Sequence, residues 1–130
     1  TAGMGFTAVF EAARSGDADK LQALVEQGEH VNEDSFGETP LWAAALKGHV
    51  AALHVLLNAR CDVNLRNHDE STPLHIAAVF GHVEVIKVLL GGGAEKTIKD
   101  GAGMTAFEIA TRPDNGFDAE TLSELVKLLE

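Results

Sequence analysis

Two kinds of apolar pattern alternate along the chain. One is short and alanine-rich, as in Ala43-Ala44-Ala45 and Ile76-Ala77-Ala78. The other carries larger aliphatic residues, Leu53, Leu56 and Leu57 or Val85, Val88 and Leu89, at the three- and four-residue spacing of one helical face. Polar runs rich in turn formers, residues 64–71 and 97–104, separate one pair from the next. The pattern predicts pairs of helices, a narrow one followed by a bulkier one, linked by hairpin-like fingers. Thr39-Pro40 and Thr72-Pro73 mark the start of the narrow helix. Threonine caps orphan N–H groups there, and proline fits a first turn in which its missing N–H costs nothing. Gly48 and Gly81 mark its end, where a left-handed residue is wanted.

The pairs recur at a fixed step. Thr39-Pro40-Leu41-Trp42, Thr72-Pro73-Leu74-His75 and Thr105-Ala106-Phe107-Glu108 follow one another at 33 residues. Gly48-His49 and Gly81-His82 repeat at the same 33, and Val31-Asn32 and Val63-Asn64 close successive units one residue sooner. Self-similarity at this period implies a stacked array in which each unit buries its apolar face against its neighbours. The expected fold is an all-α solenoid of four helix-turn-helix units, at about residues 7–38, 39–71, 72–104 and 105–130, within one domain of residues 4–130. Thr1-Ala2-Gly3 ahead of Met4 is expected to be an expression scar.

The outer units differ from the central two. The first, from Val9 to Asp17, lacks the Thr-Pro start and carries more charge. The last has Arg112-Pro113-Asp114-Asn115-Gly116-Phe117 in the turn between its helices, which is expected to push the final helix, residues 120–129, about six residues later than the period predicts. Both are expected to act as caps that shield the ends of the stack from water.

Composition narrows the function. Apolar residues make up 45% of the chain, and the net charge is −10. That charge argues against binding a phosphate backbone, which needs clustered Lys and Arg, and favours a protein partner with a basic or mixed apolar-basic surface. No apolar run approaches the roughly 18 residues of a membrane span, so no membrane partner is expected. Cys61 is the single cysteine, compatible with a reducing compartment, and a cytoplasmic or nuclear location is expected.

The recurring Thr-Pro-Leu-His and Gly-His segments resemble the ankyrin repeat, and the resemblance extends over residues 7–130. Within that family the chain is similar to the small four-repeat myotrophin-like proteins. The matching segments are Gln27-Gly28-Glu29-His30-Val31-Asn32, Gly93-Ala94-Glu95-Lys96-Thr97-Ile98-Lys99 and Gly103-Met104-Thr105-Ala106-Phe107-Glu108. The resemblance implies a non-catalytic module, monomeric on its own, that binds another protein through its concave face. In the myotrophin-like case it implies an inhibitor of the actin capping protein. The alternative is a regulatory subunit or escort of an enzyme or a transcription factor.

A stack of this family implies an inner face built from the fingers and the exposed flank of each first helix. That places Arg14, Leu46, Lys47, Val79, Phe80 and Arg112 on the helices, and Phe36, Glu38, His68, Ser71 and Met104 on the fingers. Trp42 stands where the framework has histidine and is expected to face the same groove. Leu46, Val79 and Phe80 with Trp42, Phe36 and Met104 would form an apolar patch of roughly a few hundred Å², a size that marks contact sites. The alternative for Trp42 and Phe36 is packing between adjacent units. Asn64, in Asp62-Val63-Asn64, is similar to the residue that the hypoxia-linked asparaginyl hydroxylase modifies in ankyrin proteins of animals.

No cofactor, metal or catalytic group is expected. His49, His75 and His82 fall on framework positions, and His30, His54 and His68 lack zinc-ligand spacing. Gly91-Gly92-Gly93 lacks the lysine and hydroxyl residue of a phosphate loop. Arg60 occupies a bend where its counterparts are Gly28 and Gly93 and where the family has glycine, so either the arginine keeps a left-handed conformation at a cost or the bend has relaxed to suit it.

Overall fold

The computed structural model describes residues 7–32 and 37–130. Among the described residues the chain forms α1 (Ala8–Ser15), α2 (Ala18–Glu26), α3 (Pro40–Lys47), α4 (Val50–Asn58), α5 (Pro73–Phe80), α6 (Val83–Gly91), α7 (Ala106–Ala110) and α8 (Ala119–Leu129). The helices pair in chain order. α1, α3, α5 and α7 stack side by side in one layer, and α2, α4, α6 and α8 form the second.

Each first helix starts in the same way. Thr7, Thr39, Thr72 and Thr105 accept a hydrogen bond from the backbone N–H three residues on, at 3.0–3.3 Å. The first unit, which lacks a Thr-Pro pair, is therefore capped like the others, by Thr7. Alanines 12, 13, 44, 45, 77, 78 and 110 are fully buried or nearly so, which is what lets the inner helices approach closely. Leu21, Leu53, Leu56, Ile86, Leu89 and Leu125 fill the space between the layers with no measurable exposure. Full burial of such a side chain contributes about 1.5–3 kcal/mol.

The link from the first helix to the second carries a ring laid over a glycine. His82 sits over Gly48, where an added Cβ would come within 3.3 Å of its ring, and its Nε2 bonds the Leu46 carbonyl at 3.1 Å. His49 lies over Gly16 in the same way. In the last unit Phe117 does this work. A Cβ on Gly81 would meet its ring at 2.7 Å.

The last unit corrects one expectation. The turn between its helices is eight residues long against two in the unit before, six residues in excess. The final helix is nevertheless displaced by only three, because α4, α6 and α8 start at Val50, Val83 and Ala119. The other three residues come out of α7, which has five residues where α5 has eight. Asn115 folds the surplus back: its Nδ2 donates to the Ala110 carbonyl at 2.6 Å, and its Oδ1 accepts from Phe117 N–H at 2.8 Å.

Candidate partner-binding surface

The two positions before the turns that end α1, α3 and α5 form a row across the inner layer, whereas Arg112 and Pro113, expected on the last inner helix, lie in the turn beyond α7, which stops at Ala110. Arg14, Ser15, Lys47, Val79, Phe80, Arg112 and Pro113 are exposed, and Leu46 is half-buried. Val79 and Phe80, 46% and 53% exposed, are the large hydrophobic side chains left in water among the described residues. Neither is loose. The Phe80 ring stacks on His82 with centroids 5.9 Å apart, and His82 is itself bonded to the Leu46 carbonyl. The apolar exposure therefore rests on a rigid support that spans α3 and α5.

The second and third fingers are tied off by one side chain each. Asn67 Oδ1 accepts from the backbone N–H groups of Asp69 and Ser71, both at 2.9 Å. Asp100 Oδ1 accepts from Ala102 and Met104, both at 3.0 Å. The tips meet through Gly101 N–H and the Asp69 carbonyl, 3.2 Å apart. His68 is exposed, Ser71 and Met104 are half-buried, and Glu38 is half-buried at the foot of the first finger. Phe36 lies outside the described residues.

Trp42 does not face the groove. It is 7% exposed, and its indole N–H reaches Ser71 Oγ at 3.4 Å. The indole fills the space that the smaller imidazole of His75 occupies one unit later, so it joins α3 to the second finger and offers a partner almost no surface. Met104 is likewise part of the packing, with the Arg112 guanidinium against its sulfur. The apolar patch is consequently smaller than the six residues expected for it, and centres on Val79 and Phe80.

His75 is the best-satisfied framework residue. Its Nδ1 accepts from Thr72 N–H at 3.1 Å and lies 2.7 Å from the Thr72 hydroxyl, while Nε2 lies 2.9 Å from the Met104 carbonyl. A backbone donor on one nitrogen and a carbonyl on the other fix a neutral ring that carries its proton on Nε2. Glu108 takes the same place in the last unit, where its carboxylate accepts from Thr105 N–H at 3.0 Å. That bond to the backbone holds the Glu108 carboxyl below its usual range, and the bond from Thr121 N–H does the same for Asp118 at the start of α8.

Asn64 is engaged across units. Its Oδ1 accepts from Glu95 N–H at 3.0 Å, as Asn32 accepts from Asp62 N–H at 2.8 Å. Cys61 is half-buried against the core, and burial, with Asp62 adjacent, pushes its thiol up to about 12. Arg60 keeps the left-handed conformation at φ 62°, as Gly28 and Gly93 do at 86° and 97°.

A family model for ankyrin repeats in multiple copies matches residues 41–90, the segment that runs from α3 through α6. Residues 41–90 are ankyrin repeats. The chain is also similar to the 60 kDa lysophospholipase of Mus musculus, 49% identical over 47 residues covering 35% of this chain. The chain spans about 8% of that protein's length. Ankyrin repeats are in general a non-catalytic module that binds other proteins, and the framework residues of this chain are spent accordingly. The threonines, alanines, His75 and His82 hold units together, and the row at Val79 and Phe80 is left over. Sequence reasoning missed Asn67, Asp100 and Phe117. The first two stand at one position of successive fingers, 33 residues apart, and the third follows a glycine as His49 and His82 do, so each had a repeat signal.

Proposed function

We propose that this chain is a non-catalytic binding module that engages one protein partner through the row on its inner helices, with the second and third fingers as a rim. The observation that carries this reading is the exposure of Val79 and Phe80 on a support locked by His82. A large apolar pair held rigid in water, at positions the repeat does not need for stacking, has the character of a contact centre. The actin capping protein is the specific partner that the myotrophin-like resemblance names. The similarity of a 47-residue segment to a protein named as a lysophospholipase favours a second reading, an escort or regulatory element of an enzyme.

The experiment is affinity capture from the native cell with wild type and with Val79→Ser/Phe80→Ser side by side. A protein held by wild type should be lost by the variant, with affinity reduced more than about tenfold. The variant should keep its circular dichroism. Unaltered capture, or an unfolded variant, removes the pair from the binding surface. Direct titration with purified actin capping protein decides the specific partner.

A further inference from the structure

The sign of charge along the inner row is opposite to that of the molecule. The chain has 20 Asp and Glu against 10 Lys and Arg. Yet the row carries Arg14 on α1, Lys47 on α3 and Arg112 in the turn after α7, beside Leu46, Val79 and Phe80, and no carboxylate stands at its positions. The order across the stack is basic, apolar, apolar, basic: Arg14, Leu46, Val79, Arg112 at one position of each unit, with Lys47 next to Leu46. Among the described residues neither Lys47 nor Arg112 is ion-paired with a carboxylate. The second and third fingers carry acids instead, at Asp69, Glu70 and Asp100.

From this arrangement we infer that the row binds an acidic amphipathic segment of a partner protein. This rests on the proposed use of the row and reverses the polarity that net charge alone suggests. Apolar side chains of the segment would sit on Val79 and Phe80, with carboxylates on either side reaching Lys47 and Arg112. Leu46, bonded through its carbonyl to His82, forms the floor between them. Three steps between neighbouring inner helices, at about 8–10 Å each, make the row about 24–30 Å long. That length fits about five turns of helix or eight extended residues. The acids on the fingers disfavour a carboxylate on the finger side, so the charge of the segment should lie on its edge toward the helix ends. Pairs exposed on this rim act within about 8 Å at physiological salt, so the charges choose the partner while the apolar pair anchors it.

The test is a selection from displayed peptides in which apolar positions at helical spacing are kept and the charged positions are free to be Asp, Glu, Lys or Arg. Wild type should enrich acidic peptides, Lys47→Glu/Arg112→Glu should enrich basic ones, and Val79→Ser/Phe80→Ser should enrich neither. Selected synthetic peptides should bind the charge-reversed variant about tenfold more weakly, with less salt dependence. Both variants change exposed side chains, and circular dichroism checks that each is folded. Basic peptides on wild type, or a selection that charge reversal does not alter, overturn the polarity and leave the row standing. Peptides that bind regardless of Val79 and Phe80, or no enrichment at all, overturn the row as the site.

Discussion

The second and third fingers are built to the same plan, yet they are held differently. Both close with an Asn or Asp oxygen bound to two backbone N–H groups, Asn67 in one and Asp100 in the other. At the third finger the two left-handed positions are Gly93 and Gly103, at φ 97° and 79°. At the second they are Arg60 and Glu70, at 62° and 60°. A side chain with Cβ costs about 1–2 kcal/mol in that region. The anchors differ as well. His75 Nε2 holds the Met104 carbonyl of the third finger at 2.9 Å, whereas Trp42 meets only the Ser71 hydroxyl of the second, at 3.4 Å. A repeat thus copies geometry faithfully while distributing stability unevenly, and the less secure finger is the one beside Arg66–Glu70 and the acidic tip.

Removing the better anchor should have the largest effect. His75→Ala leaves Thr72 N–H and the Met104 carbonyl without partners in a buried place, and should cost about 2–4 kcal/mol by chemical denaturation. Ser71→Ala, which removes the weaker anchor, should cost less than about 1 kcal/mol. Equal losses would mean that the fingers are held alike.

Exchanging the left-handed residues tests the strain directly. Gly103→Glu has open space around its Cβ, so its cost, about 1–2 kcal/mol, should be conformational alone. Glu70→Gly and Arg60→Gly should each raise stability by up to about 1 kcal/mol, less the freedom that glycine adds to the unfolded chain. Unchanged melting of Arg60→Gly would show that the bend accommodates arginine without strain. Hydrogen exchange should be faster at the backbone amides of residues 67–71 than of 100–104 in wild type, and the difference should shrink in Glu70→Gly.

The smallest effect concerns acid. The carboxyls of Glu108 and Asp118 are lowered in the folded state by backbone hydrogen bonds, so their contribution is present above the unfolded values of 4.5 and 3.8 and is lost as pH falls through the folded ones. α7 and α8 should therefore loosen below about pH 4 while α5, capped through Thr72, keeps its exchange protection. Glu108→Gln should weaken this pH dependence. A last unit that resists acid as well as the others would discount the carboxylates.

Where a residue serves the repeat itself, its role was legible in the sequence. The threonine caps, the alanine-lined helices, the Gly-His turns and the left-handed Arg60 all follow from position within a period. What the period hides is substitution by a residue of different chemistry. Trp42 has the size to fill its site and so goes inside, although an indole in a histidine's place suggested a groove residue. Phe117 replaces a histidine as a flat ring over glycine, which only the packing on Gly81 reveals. The excess in the last turn was countable, but its division between a shorter α7 and a later α8 depends on Asn115 reaching the Ala110 carbonyl.

Trp42 also gives the molecule an optical vantage point. The chain has one tryptophan and no tyrosine, so near-ultraviolet emission comes from a single place, the buried junction of α3 with the second finger. A stack whose units touch their neighbours does not have to lose all of its parts together. Fluorescence will report when water reaches that one junction, whereas signals from the backbone average over every unit. If the second finger opens early, the emission will shift to the red before the helical signal falls. Coincident curves would instead mark the whole array as a single cooperative body.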